Sequence, residues 1–353
     1  MMRTSYRSDD VTLLLKDISA QIEPEDTLTR EKKIQSGTHY SEMLPLEYQP
    51  TPEYMALYEE ALALNGAKTA QAVRVVAEKI AQEKSGDIVL VSLARAGLPI
   101  GILIKHYLER YLKRTVCHYG LSIIRGRGID QQAMQTILKD HSPQSLQFVD
   151  GWTGKGAILH ELRQALADYP EVSARLAVLA DPAQITDLCG TYEDFLIPSA
   201  CLNATISGLV SRTVLNDHLI GPEDYHGAVY YEHLQEQDLS YHFIETIEAY
   251  FPKLNQEELH WPQRGALTGM EEVAQLAETF DIHDINLIKP GIGETTRVLL
   301  RRVPWKILVS TQCDPRHLAH IYRLAEEKNV LVEPYDLRVY NACGLIKDMK
   351  ADI

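Results

Sequence analysis

Much of what marks a specialised protein class is scarce in this chain of 353 residues. Five cysteines occur (Cys117, Cys189, Cys201, Cys313 and Cys343), an odd number, widely spaced and without a CxxC pair. That spacing argues against both a disulfide framework and a cysteine-rich zinc site. No run approaches the ~18 consecutive apolar residues of a membrane span. The opening MMRTSYRSDDVTLLL interrupts its short apolar run with Asp9, Asp10 and Lys16, so no secretory leader is expected and cytoplasm is the expected compartment. A cationic surplus is missing too: 35 Lys and Arg face 49 Asp and Glu, a formal charge of −14. Such a balance excludes indiscriminate nucleic-acid binding, which draws on excess Lys and Arg. Internal repeats and low-complexity tracts are absent.

What is present is ordinary globular material, 45% apolar and 24% charged, enough for about two domains. The first 60 residues read as polar and turn-rich. From Gln71 onward short apolar runs alternate with helical spacings. DIVLVSL (87–93), TVCHYGLSII (115–124), LQFVD (146–150) and RLAVLAD (175–181) read as strands. The stretches 71–83, 100–113, 131–139 and 157–169 read as helices. This alternation predicts βα units and a mostly parallel sheet, whose ligand sites lie in the loops after the strand ends. Prolines and glycines cluster over 252–269, predicting a linker between a domain at 1–251 and a second, small α/β domain at 270–353.

The loop after Asp150 carries the strongest local signal. In FVDGWTGKGA an apolar strand ends at Asp150 and runs through Gly151, Thr153, Gly154, Lys155 and Gly156 into a helix. Glycine-exposed amides, a threonine hydroxyl and a helix start make a phosphate cradle, or else an ordinary strand–helix turn. The earlier LARAGLPIG places Arg95, Ala96 and Gly97 after another strand, and IIRGRG sets Arg125 and Arg127 on a glycine-flexed loop. Arginine supplies paired donors for a phosphate. The order and spacing of these loops resemble those of the type I phosphoribosyltransferases, although Gly151 stands where their second acidic residue is usual. The resemblance implies 5-phosphoribosyl-1-pyrophosphate (PRPP) as donor, with Mg²⁺. Arg95, Ala96 and Gly97 would then hold pyrophosphate, and Arg125 and Arg127 would sit on a closing loop. Thr153 to Gly156 would hold the 5-phosphate, and Asp150 would meet the ribose and its Mg²⁺, with bond formation at ribose C1 to an unnamed acceptor.

Three longer stretches widen the likeness: REKKIQSGTHYSEMLP (30–45), the core loops, and GTYEDFLIPSACLNATISGLVSRTVLN (190–216). Together they resemble the bacterial StiP family over nearly the whole chain. Its members join a phosphoribosyltransferase-like domain to a C-terminal Pelota-like RNA-binding domain. They belong to tellurite-resistance and stress operons, and the expected product is a nucleoside-like stress metabolite. His39, Tyr40, Glu42, Asp194, Ser199, Asn203, Ser207 and Arg212 become candidate acceptor-site residues. The family is also labelled a cysteine protease, which leaves Cys201 as an alternative nucleophile. Pro198 and Ser199 would cap a helix that favours its thiolate; His226 or His39 would be the base, oriented by Asn203 or Asp224. Against that, a free cysteine is by default a packed one.

In KPGIGETTRVLLRR, Gly291 to Arg297 resembles the nucleic-acid-contacting turn of the Pelota and ribosomal-protein L7Ae-like fold, with Gly293 in place of its asparagine. The resemblance implies a structured RNA as partner. Gly291 and Gly293 would allow backbone approach, Glu294 would accept from a base edge, and Lys289, Arg297 and Arg301 would meet phosphates. A non-catalytic RNA-binding adaptor is the third reading. Residues 271–353 hold 11 basic and 13 acidic side chains, so the acidity lies mostly in the first domain.

Overall fold

The computed structural model describes residues 2–346. Six strands build the main sheet: β1 (Thr12–Leu13), β2 (Ile88–Leu93), β3 (Val116–Leu121), β4 (Leu146–Val149), β5 (Leu176–Ala180) and β6 (Cys189–Thr191). Their order is β1-β3-β2-β4-β5-β6 and every neighbouring pair is parallel. Strands buried on both faces explain the unbroken apolar runs: all six residues of β2 and all five of β5 are buried.

Five helices lead up to and flank this sheet: α1 (Thr27–Gln35), α2 (Pro52–Glu83), α3 (Gly97–Arg110), α4 (Gln131–Asp140) and α5 (Ala157–Ala165). Helix α2 runs 32 residues, far longer than the 71–83 read from spacing. Thr51 caps it by accepting from the Tyr54 amide at 3.2 Å, and Pro52 fits the first turn. Asn65-Gly66 resembles a breaker, but a side chain at Gly66 would sit 2.8 Å from the Tyr250 ring, so the glycine serves packing inside a continuous helix. Val73, Val76, Ala77 and Ile80 line its fully buried stripe. Each such valine or isoleucine contributes roughly 1.5–3 kcal/mol by leaving water.

Helix α6 (Ser240–Glu248) packs on α2 and α3. After it, α7 (Gly269–Thr279), α8 (Ile292–Arg301) and α9 (Ala319–Glu327) accompany a second sheet. Its strands are β7 (Ile288–Pro290), β8 (Pro304–Ser310), β9 (Leu331–Tyr335) and β10 (Ala342–Ile346), in the order β7-β10-β8-β9. Only β8 and β9 pair in parallel, because β10 enters between β7 and β8 and runs against both. Helix α7 begins with a full capping box: Thr268 accepts from Glu271, and the Glu271 carboxylate accepts from the Thr268 amide. The molecule is therefore mixed α/β, with a parallel six-stranded sheet and a small C-terminal sheet. No helix among the described residues is long and apolar enough to cross a membrane.

Candidate functional site

The C-terminal ends of β2 and β4 open, as parallel sheets do, onto a cleft with a cavity volume of about 590 Å³. The loops after Leu93 and Val149 form its floor, α1 and the 123–125 segment form one wall, and α8 forms the other. Gly97 lets the first loop lie against the second: a side chain there would come within 2.4 Å of the Val149 carbonyl. Eight cationic residues line the cleft (Arg30, Arg95, Arg125, Arg212, Lys289, Arg297, Arg301 and Arg302) against three acidic ones, Asp150, Asp284 and Glu294.

Five of these cations are held by the protein. Arg95 donates to Val210 O at 2.9 Å and to Asn203 Oδ1 at 3.1 Å, an oxygen that also accepts from Arg301 Nε at 3.0 Å. Arg302 grips the buried Glu31 through two bonds, at 2.6 and 2.9 Å. Arg297 pairs with Glu294 at 3.0 Å and lies over the Trp152 ring. Arg125 reaches Asn286 Oδ1 at 2.9 Å. The other three have no hydrogen-bond or ion-pair partner among the described residues. Arg30 is 1% exposed, with its Nε buried and unsatisfied. Arg212 stacks on Tyr40, and burial together with the nearby Arg30 pushes it down to about 9. Lys289 is pushed down to about 8, above all by burial, with Arg125 and Arg302 adding to the effect. Burial, then Arg95 and Arg297, likewise drive Arg301 well below the usual arginine range. Asp150 faces this array with a single internal bond, from the Gly151 amide at 2.8 Å, and burial raises it to about 6.

Several sequence expectations change in this setting. The C-terminal unit packs against the loop 151–156 and narrows the expected cradle to a cavity of about 90 Å³, lined by residues 152–157 with Lys289, Glu294 and Arg297. Lys155 donates to the carbonyls of Ile285 and Ile288, Tyr340 donates to Gly154 O at 2.7 Å, and Glu294 lies 3.0 Å from where a Gly154 side chain would begin. Burial, then Lys289 and Arg125, push Lys155 down to about 7. The Thr153 hydroxyl is spent on Asp181. Gly156 caps α5 at φ +86°, a conformation that suits glycine. Gly151 is not forced by crowding, since its nearest neighbour would stand 3.7 Å away. Arg127 is paired with Glu42 rather than free to close on a ligand.

Of the acceptor-site candidates, His39, Tyr40, Glu42, Asp194, Asn203 and Ser207 are engaged in bonds within the protein. His39 bridges Ser41 Oγ at 2.8 Å and Arg125 O at 3.0 Å, and the Tyr40 hydroxyl accepts from the Arg125 amide at 2.9 Å. Burial, then Arg127, lower the His39 pKa. Ser207 donates to Asn203 O at 2.9 Å, while Ser199 lies in the turn Pro198–Cys201 at the cleft's edge. Asp194 accepts from the amides of Ile292 and Asn341 and so pins the start of α8. Arg297 and Arg301, expected to meet RNA phosphates, line the cleft with Lys289 and Glu294, and Gly293 packs on Trp152, 2.4 Å from where a side chain would begin. Gly291 takes φ +94° where β7 turns into α8.

Cys201 lacks the surroundings of a nucleophile. It lies in a short 3-10 turn, not at a helix start, is fully buried, and burial pushes its thiol up to about 12. His226 bonds Ser122 Oγ at 2.8 Å, Asp224 pairs with Lys16, and no cysteine–histidine hydrogen bond occurs among the described residues. Sequence reasoning missed Arg30, Arg302 and Trp152 as site residues. Arg30 stands in the charged run TREKK (29–33), which reads as a solvated helix face, so no local pattern marks it as buried.

Fold and cleft together define a two-part α/β protein with a cationic site at the junction of its parts. Residues 4–248 match the family model described as tellurite-like stress resistance cysteine protease StiP, and residues 267–348 match the PELOTA RNA binding domain. The chain belongs to the StiP family. It is 39% identical to the cysteine protease StiP of Acinetobacter baylyi over 364 aligned positions, covering 98% of this chain and 94% of that protein. These matches overturn the transferase expectation, because both names give a cysteine protease. PRPP as donor, and the magnesium expected with it, are withdrawn on the same ground.

Proposed function

We propose that this chain binds RNA in the arginine cleft, and that the proteolysis named for its relative is run from Cys201 beside it. The binding half rests on one observation: Arg30, Arg212 and Lys289 stand in one cleft without an acceptor among the described residues. Desolvated cations without partners are costly, and phosphates entering the cleft would supply them. The match to an RNA-binding domain in the unit that provides Lys289, Arg297 and Arg301 supports RNA as the ligand class. Titration of the whole chain with labelled RNA tests this, with Arg212→Glu as the comparison. Saturable binding weakened about tenfold or more by the substitution is expected, and equal binding by both proteins would refute it.

The protease half rests on the family description and the relative's name. Cys201 is the candidate because it adjoins Leu202 and Asn203, which line a small neighbouring cavity that shares Arg95, Arg297 and Arg301 with the cleft. A thiol held near 12 is almost wholly protonated at neutral pH, so the turn Pro198–Cys201 has to open before it can attack a carbonyl. Peptide hydrolysis by the full chain should disappear in Cys201→Ala; unchanged hydrolysis would remove Cys201 from the role. We also infer that the six-stranded unit shares its architecture with the type I phosphoribosyltransferases, a kinship of fold that carries no PRPP chemistry.

A further inference from the structure

We infer that the ligand of this cleft is the phosphate-bearing end of a single RNA strand, not a duplex or an internal loop; the inference rests on the RNA reading above. The start of α8 is closed to a large ligand, because Asp194 takes the Ile292 amide and the Trp152 ring lies against Gly293. Lys155 and Tyr340 fasten the same junction from either side. What stays open is the cleft itself, and its volume of about 590 Å³ is that of a small-molecule site. A few atoms of a strand end fit such a space, whereas a helix of paired nucleotides would have to separate the two units.

Charge narrows the choice further. Arg30 and Arg212 line the same cleft, where Arg30 adds to the lowering of Arg212, and Lys289 brings a third cation without a hydrogen-bond partner among the described residues. An internal phosphodiester brings one negative charge. A terminal phosphate brings roughly −1.5 to −2 near neutrality, with three strong acceptor oxygens. Only the terminal group matches cations that the protein leaves without acceptors. Beside them, Leu93, Ile123, Ile124 and Ile158 give the cleft an apolar strip. An unpaired base can lie on such a strip, and a base within a duplex cannot.

The test is isothermal titration of the full chain with three ligands: a single-stranded RNA tetranucleotide phosphorylated at its 5′ or 3′ end, the same strand with hydroxyl ends, and a closed RNA hairpin lacking a single-stranded end. Because it varies the ligand, no substitution has to fold. The phosphorylated strand should bind about tenfold or more tightly than either of the others, the increment of one or two charge-assisted bonds. Equal binding of the hydroxyl-ended strand, or a hairpin that binds as well, would overturn the end-recognition inference while leaving the RNA reading standing. Failure of all three to bind would overturn both.

Discussion

Arg30 separates a structural site from a binding site. The residue is 1% exposed, and its buried Nε meets no acceptor among the described residues. If the cleft exists to hold an anion, this charge burdens the empty protein. Arg30→Met keeps the stem's length and removes the charge. It should therefore stabilise the free protein by about 1–3 kcal/mol, the usual penalty of an unsatisfied buried group, while weakening RNA binding. Thermal unfolding with and without RNA checks both signs, and a variant less stable than the parent would mean the charge is structural. Cys201 gives a second residue-scale prediction. With burial holding its thiol near 12, alkylation of the native chain at pH 8 should leave Cys201 untouched while the exposed Cys117 reacts. Peptide mapping of the labelled protein reads this directly, and rapid native labelling of Cys201 would show that the turn Pro198–Cys201 opens freely.

At the scale of elements, the junction is most sharply probed at Gly293. Alanine in a free helix is favoured over glycine by about 1 kcal/mol. Here the added carbon would fall 2.4 Å from the Trp152 ring, so Gly293→Ala should destabilise the chain, by about 1–3 kcal/mol as overpacking does. A rise in stability would mean α8 is not docked on the 151–156 loop. This docking also explains what the sequence could and could not disclose. Strands β2 to β5 and helices α3 to α5 were legible because buried parallel strands leave unbroken apolar runs, as in IVLVSL. The first half of α2 went unread because residues up to 60 look polar and turn-rich, whereas in the fold Gly66 makes room for the Tyr250 ring inside one continuous helix. The loops at 94–97 and 150–156 follow strand ends, as the apolar runs predict, and their residues line the cleft. Their partners were illegible: nothing near Thr153 or Lys155 signals that Asp181 and the carbonyls of 285 and 288 will occupy them.

The whole molecule carries two opposed pH responses. His106 lies between Asp10, at 2.6 Å, and Glu248. Burial opposes its charge, but the two carboxylates prevail and raise it to about 9. A histidine raised in the folded state stabilises fully below its unfolded value of about 6.5 and loses that contribution as pH climbs through about 9. Asp10, lowered to about 2 against the pull of burial, is the mirror case, contributing above about 4 and failing as pH falls towards 2. Stability should therefore decline between pH 6.5 and 9, and His106→Gln should flatten that slope in thermal melts. Ligand affinity should respond separately. Asp150, raised to about 6 by burial, becomes negative above that pH inside the cationic cleft, so a hydroxyl-ended RNA strand, whose phosphodiesters do not titrate in this range, should bind more weakly at pH 7.5 than at pH 5.5.

The acidic chain, with its formal charge of −14, can hold a polyanion only where cations are concentrated, and the junction cleft is such a place. The measurement that tests this most directly is the salt dependence of single-stranded RNA binding to the full chain and to Arg212→Glu. With three cations left for phosphate, log K should fall against log salt with a slope of about −2 for the parent. The slope should be visibly shallower, and the affinity lower, for the variant. A parent affinity indifferent to salt, or identical lines for the two proteins, would contradict the assignment of the cleft as the RNA site.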